Sequence, residues 1–260
     1  SIEKKEYPNF LTENKEIKLG IKKVYNKKGI GITQIAEGCL GKCSFCITRL
    51  AKGSLHSYPQ EEIIENIRQD IKNGCREIWL ASQDNAAYGL EQGKSMLIYL
   101  LNKILNLKGK FIIRLGMSNP NNVLPILDEL IKIYKNKKMK KFLHIPLQSG
   151  SNRILGLMNR KYFAEDFLKI IKKFKQEIPD IRIMTDIIVA FPDETENNFQ
   201  ETLRIIKEIK PEQLNISRFY KRKGTEASLM PQIDDKTSKK RASILASLFS
   251  EMKMRRINNS

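Results

Sequence analysis

Six short apolar stretches alternate along this chain with six longer ones in which apolar residues recur at helical spacing, and nothing else in the sequence restricts the fold as strongly. Strands are predicted at 30–35, 77–81, 111–115, 142–146, 181–189 and 214–219. Helices are predicted after Pro59, with apolar positions 63, 64, 67 and 71 running to a stop at Gly74, and then at 95–105, 122–134, 164–176, 196–210 and 237–254. Proline in the first turn, with Glu61 and Glu62 beside it, is a helix start; glycine after the last apolar position is a stop. Strictly alternating strands and helices imply parallel βα units with right-handed crossovers. Eight units close a full barrel and this chain has six, so the fold class predicted is α/β, an open, partial, six-unit parallel βα barrel. A chain of 260 residues is an ordinary length for one such domain.

The first strand ends in Cys39-Leu40-Gly41-Lys42-Cys43-Ser44-Phe45-Cys46. Three thiols so close together are a metal site before anything else. A structural zinc site takes four ligands, usually as paired half-sites, and an ordinary ferredoxin-type cluster takes four cysteines. Here the fourth cysteine, Cys75, stands far off just before the apolar Ile78-Trp79-Leu80 and reads as buried core. What remains is a three-thiolate cradle, able to hold a 4Fe-4S cluster that leaves one iron open to a small chelating ligand.

A Cys-x3-Cys-x2-Cys loop with an aromatic residue before its last cysteine resembles the cluster loop of the radical S-adenosylmethionine (SAM) enzymes. Four later stretches, 79–89, 114–120, 143–151 and 185–195, come in the order seen in the tRNA methylthiotransferases, most closely in the archaeal and eukaryotic branch acting on N6-threonylcarbamoyladenosine. The resemblance runs from about Gly31 to Met254. It implies one 4Fe-4S cluster on Cys39, Cys43 and Cys46, with SAM on the open iron. It also implies transfer of a methylthio group to C2 of that adenine beside the anticodon, with the anticodon stem-loop of tRNA as partner and a donor such as ferredoxin or flavodoxin supplying electrons.

All these motifs lie at or just past the C-terminal ends of predicted strands, where parallel βα proteins gather ligands. Phe45 either faces the adenine of the cofactor, as the resemblance implies, or simply packs. Ser82, Gln83 and Asp84 fall where the family meets the methionyl amino group; the alternative for this segment is a turn or helix cap, against which Ser95 is better placed to start the next helix. Gln148 and Ser149 are expected on the ribose and amino-acid part of the cofactor, and Arg160 on its carboxylate or else capping a short helix from Asn152. Asp186, a carboxylate in apolar company, is paired with a core cation or touches ligand. His144 reads as a core or rim histidine. On the substrate side stand Ser118 and Asn119, and the run Tyr220, Lys221, Arg222, Lys223, where aromatic and basic side chains suit an unstacked base and its phosphates. The other basic run, 135–141, falls at the opposite rim and reads as a solvated turn.

A net charge of +18 favours a polyanionic partner, nucleic acid before membrane. No apolar run approaches the ~18 residues of a membrane span, which argues against membrane contact. Thiols required as ligands fit a reducing, cytoplasmic compartment. Residues 1–29 are polar and read as a linker, and 30–260 as the radical SAM barrel. Relative to the family, an N-terminal domain with three more cysteines and a second cluster, and a C-terminal RNA-binding β-barrel, are lacking. The chain is therefore expected to be a fragment limited to binding cluster and SAM and cleaving SAM. Ala190 and Asp193 depart from the family, which more often has glycine there. Two alternatives stay open: another radical SAM enzyme with a small-molecule substrate, and an RNA-binding module stabilised by zinc.

Overall fold

A computed structural model describes residues 17–21, 23 and 29–258. The predicted linker lies mostly outside them; of its residues, Ile17 and Leu19 pack against the core. The chain enters through β1 (Ile30–Gln34) and a two-residue strand β2 (Ala36–Glu37), runs through the cysteine loop with a short helix α1 (Thr48–Lys52), and returns as β3 (His56–Ser57). The alternation follows: α2 (Gln60–Lys72), β4 (Glu77–Ala81), α3 (Leu97–Leu105), β5 (Ile112–Leu115), α4 (Pro120–Val123), α5 (Leu127–Tyr134), β6 (Phe142–His144), α6 (Asn152–Leu157), α7 (Ala164–Glu177), β7 (Arg182–Val189), α8 (Glu196–Ile209), β8 (Gln213–Arg218) and α9 (Asp235–Asn258). None of the described helices is long and apolar enough to cross a membrane.

All six predicted strands are present and every pair among them is parallel. They form two sheets, ordered β1-β4-β5 and β6-β7-β8, and no closed barrel. The sheets meet along a thin seam: Ile113 bonds through its amide to the Lys138 carbonyl at 2.7 Å and through its carbonyl to the Lys140 amide at 2.8 Å. A third bond, Ser118 amide to His144 carbonyl at 3.0 Å, continues it towards the mouth. From Ile183 to Val189 the side chains of β7 alternate between buried and half-buried, as a strand must that shows one face to the helices and the other to the interior of an open barrel.

Besides shifts of one to four residues at element ends, three features differ from expectation. The helix predicted from Ser95 starts at Leu97, after Met96, because Gly93 and the chain around Ser95 complete a tight turn first. The helix predicted over 122–134 is divided into α4 and α5 by a 3₁₀ turn at Leu124–Ile126; Pro125, which has no amide hydrogen and cannot continue the ladder, sits within it. The small β2–β3 hairpin, pairing Ala36 with Ser57 and Glu37 with His56, was not foreseen, being two residues a side. It pinches the ends of the cysteine loop together.

Candidate metal centre

The cysteine loop starts at Gly38, whose φ of +70° only glycine adopts easily and whose α-carbon has no room for a methyl group. An ideal Cβ there would lie 2.0 Å from the Ser54 carbonyl oxygen. The close approach lets the Cys39 amide reach the Gly53 carbonyl. From its other side Ser44 fastens the loop to α6, donating its hydroxyl to the Leu157 carbonyl at 2.7 Å and its amide to the Met158 carbonyl at 3.1 Å. Beneath lies a small second core of Ile154, Met158, Phe191 and Ala227, against which Phe45 packs edge-on to Phe191 at 6.3 Å between ring centroids.

Each of the three sulfurs accepts a hydrogen bond. The Gly41 amide donates to Cys39 Sγ at 3.2 Å, the Thr48 amide to Cys46 Sγ at 3.4 Å, and the Arg160 guanidinium to Cys43 Sγ at 3.1 Å. Gly41 carries no Cβ where Cys39 and Cys43 flank it; one would stand 3.3 and 3.7 Å from their sulfurs. Donors aimed at three thiols, a cationic one among them, suit thiolates that ligate metal. Burial pushes the Cys39 thiol up, so binding must displace its proton. Among the described residues, no three His, Cys, Asp or Glu side chains gather into a ligand set for one ion. Cys75 is fully buried in the main core, as expected. His56 packs on Tyr58 from β3.

Arg160 is the hub of the mouth. Besides Cys43 it donates to Asn119 Oδ1 and, at 3.2 Å, to the Tyr162 hydroxyl. Asn119 passes the connection on, its side chain and amide donating to the Asp84 carboxylate at 2.8 and 3.0 Å, where Asn122 adds a bond of 2.7 Å. Tyr162 donates to the Pro146 and Leu147 carbonyls; burial pushes its phenol up to about 12, so it stays a donor at neutral pH. Loops after β1, β4, β5 and β6 are thus tied together through one guanidinium.

Several expected roles move accordingly. Arg160 spends one N–H of each guanidinium nitrogen on Tyr162, Cys43 and Asn119, so it holds a cysteine and two loops. Asp84 accepts from Asn119, Asn122 and the Ala86 amide, capping the 3₁₀ turn Asn85–Ala87, so the turn role set against Ser95 is the one it takes. Burial raises its carboxyl above the usual range in spite of those bonds. Ser118 and Asn119 are only 1 and 8% exposed, and Asn119 works within the scaffold by linking Arg160 to Asp84. Ser149 is wholly buried, near Thr202 of α8 and accepting from the Ser151 amide.

The acceptors left over are the informative ones. Among the described residues, Ser82 Oγ, Gln83 Oε1 and Gln148 Oε1, like Asn85 Oδ1 and Ser95 Oγ, are buried without a hydrogen-bond partner, a costly condition for a polar atom. Gln148 also adopts a φ of +67°, a strain of the kind that clusters at working sites. Further in, Asp186 pairs with no arginine or lysine among the described residues; it meets His144 Nε2 at 2.7 Å and accepts from Asn215 at 2.7 Å, and all three belong to the inner face of the second sheet. Tyr162, Asn122 and Ser44 were missed from sequence; a tyrosine two residues past an arginine carries no signal of what its hydroxyl will reach.

On the side of β8 a cavity of about 560 Å³ lies between Phe45, Ile188, Ser217, Phe219, Tyr220 and Arg222. Tyr220 is 56% exposed and receives a hydrogen bond from Arg218, which also pairs with Asp235 at 2.6 Å. Lys221, Arg222 and Lys223 are exposed beside it.

An open βα barrel whose first strand delivers three hydrogen-bonded thiols to the mouth, opposite unpartnered acceptors, defines a class of iron–sulfur barrel proteins. The chain belongs to the radical SAM superfamily, whose family model matches residues 33–206. It is 44% identical over 223 residues to a protein of Archaeoglobus fulgidus named "Probable threonylcarbamoyladenosine tRNA methylthiotransferase", covering 86% of this chain and 53% of that one. A relative from Pyrococcus horikoshii with the same name is 47% identical, over 82% of this chain and 50% of its own. The Danio rerio protein named threonylcarbamoyladenosine tRNA methylthiotransferase is 38% identical, over 89% and 42%. The chain thus spans about half the length of the curated relatives it matches. Among solved structures it resembles the radical SAM methyltransferase TsrM of Kitasatospora setae, with a TM-score of 0.64 at 13% identity, covering 77% of this chain and 38% of that one. Coproporphyrinogen III oxidase of Escherichia coli matches with a TM-score of 0.59 at 15% identity, over 86% and 52%. Likeness at such low identity concerns the fold.

Proposed function

We propose that this chain is the catalytic barrel of a tRNA methylthiotransferase acting on N6-threonylcarbamoyladenosine, with a 4Fe-4S cluster on Cys39, Cys43 and Cys46 and SAM in the mouth beside it. What carries the reading is the pairing of three thiols that all accept hydrogen bonds with three buried acceptors, on Ser82, Gln83 and Gln148, that have none to accept. Solved relatives of this fold are described with a 4Fe-4S cluster bound, and with SAM bound. When bound, the cluster supplies the electron that splits SAM and so begins radical chemistry.

The chain's own groups then bind, orient and exclude. Arg160 holds Cys43 and, through Asn119 and Asp84, sets the loop that presents Ser82 and Gln83. Those two acceptors suit an ammonium group, which has three hydrogens to donate. Gln148 offers its carbonyl from the second sheet, so a ligand reaching both sides is held at two ends. Phe45, braced by Phe191, keeps water from one wall. The cavity beside β8 takes the modified base: Phe45, Phe219 and Tyr220 provide apolar and stacking faces, and the Arg222 guanidinium suits the carboxylate of the threonylcarbamoyl group. Lys221 and Lys223 meet flanking phosphates of the anticodon stem-loop. Electrons come from a small donor such as ferredoxin or flavodoxin, and the setting is cytoplasmic.

The test is anaerobic reconstitution with iron and sulfide, followed by electron paramagnetic resonance of the reduced protein with and without SAM. A 4Fe-4S signal that changes on adding SAM supports the reading. A colourless protein holding zinc, or a cluster indifferent to SAM, overturns it. For the RNA, replacing Lys221, Arg222 and Lys223 together by glutamine should weaken binding of the stem-loop about tenfold or more in a filter assay; unchanged binding would remove the β8 side from the substrate path.

A further inference from the structure

The opposite end of the barrel holds a second concentration of unusual chemistry. There, β6, β7 and β8 begin with Phe142, Arg182 and Gln213, and these line a cavity of about 410 Å³ together with Arg114, Lys140, Lys141 and Asp180. Four cations and one carboxylate make its wall. Lys140 is answered by Glu77 at 2.5 Å, and Lys141 donates to backbone carbonyls at the end of α5. Arg114 is different. Its guanidinium carbon lies 4.1 Å from the Trp79 ring centroid and 4.3 Å from that of Phe142, a cation between two aromatic faces. Trp79 is itself fixed by a bond from its indole to Glu77 at 2.6 Å. The stack occupies the faces of the guanidinium and leaves its N–H edge for something else; among the described residues no ion pair with a carboxylate is formed, and Glu77 acts on it only through space. Burial pulls the Arg114 pKa below the ordinary arginine value, against a smaller opposing pull from Glu77.

A guanidinium locked flat with an open edge, in a concave wall with excess positive charge, is the arrangement that recognises two oxygens of one anion. We propose that this cavity at the floor of the barrel is a binding site for a phosphate-class oxyanion, free phosphate or a small phosphomonoester, read by Arg114 and neutralised by Arg182. An RNA strand fits less well, because Trp79 and Phe142 already spend ring faces on Arg114 and the floor offers no other aromatic wall on which a base would stack. The site is separate from the cysteine mouth and does not depend on cluster, SAM or tRNA.

The experiment is equilibrium dialysis of radiolabelled orthophosphate against the whole chain at constant ionic strength, with thermal melting alongside. Saturable binding of about one phosphate per chain is expected, with a rise in Tm that chloride at equal ionic strength does not give. Arg114→Gln should weaken it at least tenfold and Arg182→Gln severalfold, while Lys207→Gln on the exposed face of α8 should leave it unchanged. Glycerol phosphate should compete. Should Arg114→Gln fail to fold, Arg182→Gln decides. Non-saturable uptake, or equal weakening by Lys207→Gln, means a diffuse ion atmosphere and overturns the proposal. Displacement by an RNA stem-loop but not by glycerol phosphate overturns it too, by making the floor a contact for nucleic acid backbone.

Discussion

A methyl group on Gly38 would collide with the Ser54 carbonyl, and the atom it strikes is backbone that cannot swing aside. Gly38→Ala should therefore displace the cysteine loop and leave reconstituted protein with much less iron than the parent, by colorimetric assay, while far-ultraviolet circular dichroism changes little. Arg160→Lys keeps a charge but cannot serve Cys43, Asn119 and Tyr162 at once. Weaker iron retention is expected, together with a lower reduction potential, since one cationic hydrogen bond to a ligand sulfur is lost; an unchanged potential in a redox titration would show that the contact to Cys43 does no more than pack. Ala190 has a φ of +56°, in the left-handed region. Ala190→Gly should stabilise by about 1 kcal/mol, seen as a rise of about 2 °C in Tm. That departure from the family's glycine was visible in the sequence, and its geometric cost was not. The same holds for Ser149 and Ser118. Chain position put them at the mouth, but a strand's end points side chains both ways, and only the partner across the gap, Thr202 for Ser149, decides which way is inward.

Among the elements, strands were legible because runs such as Ile181–Val189 are too short and too apolar for a surface helix, and α7 and α8 because their apolar residues keep one face over 14 residues each. What periodicity does not reveal is an interruption that preserves it: the face of α4 and α5 continues across Pro125 while the backbone does not. Nor does it reveal the small core under the cysteine loop, whose members come from α6, the turn after β7 and the segment after β8. Met158 is completely buried there. Met158→Ala should cost about 2–5 kcal/mol by the cavity it leaves. Since its backbone carbonyl also receives the Ser44 amide, cluster loss on dilution should accelerate more than global unfolding does. Equal acceleration of both, followed by absorbance and by fluorescence, would mean that the loop has no bracing of its own.

For the molecule as a whole, a net charge of +18 makes any association with RNA steeply dependent on salt, with the logarithm of affinity falling linearly against the logarithm of salt concentration. If β8 is the docking side, the triple glutamine variant at 221–223 flattens that slope. The seam between the sheets has a different consequence. The two leaves are like the covers of a book: a few hydrogen bonds form the spine, while one continuous hydrophobic core and the Arg160 contacts to Cys43 and Asn119 bind the pages between them. Ser82 and Gln83 are printed on one cover and Gln148 on the other. A ligand gripped by both is a clasp on a binding that already sets the angle between the covers.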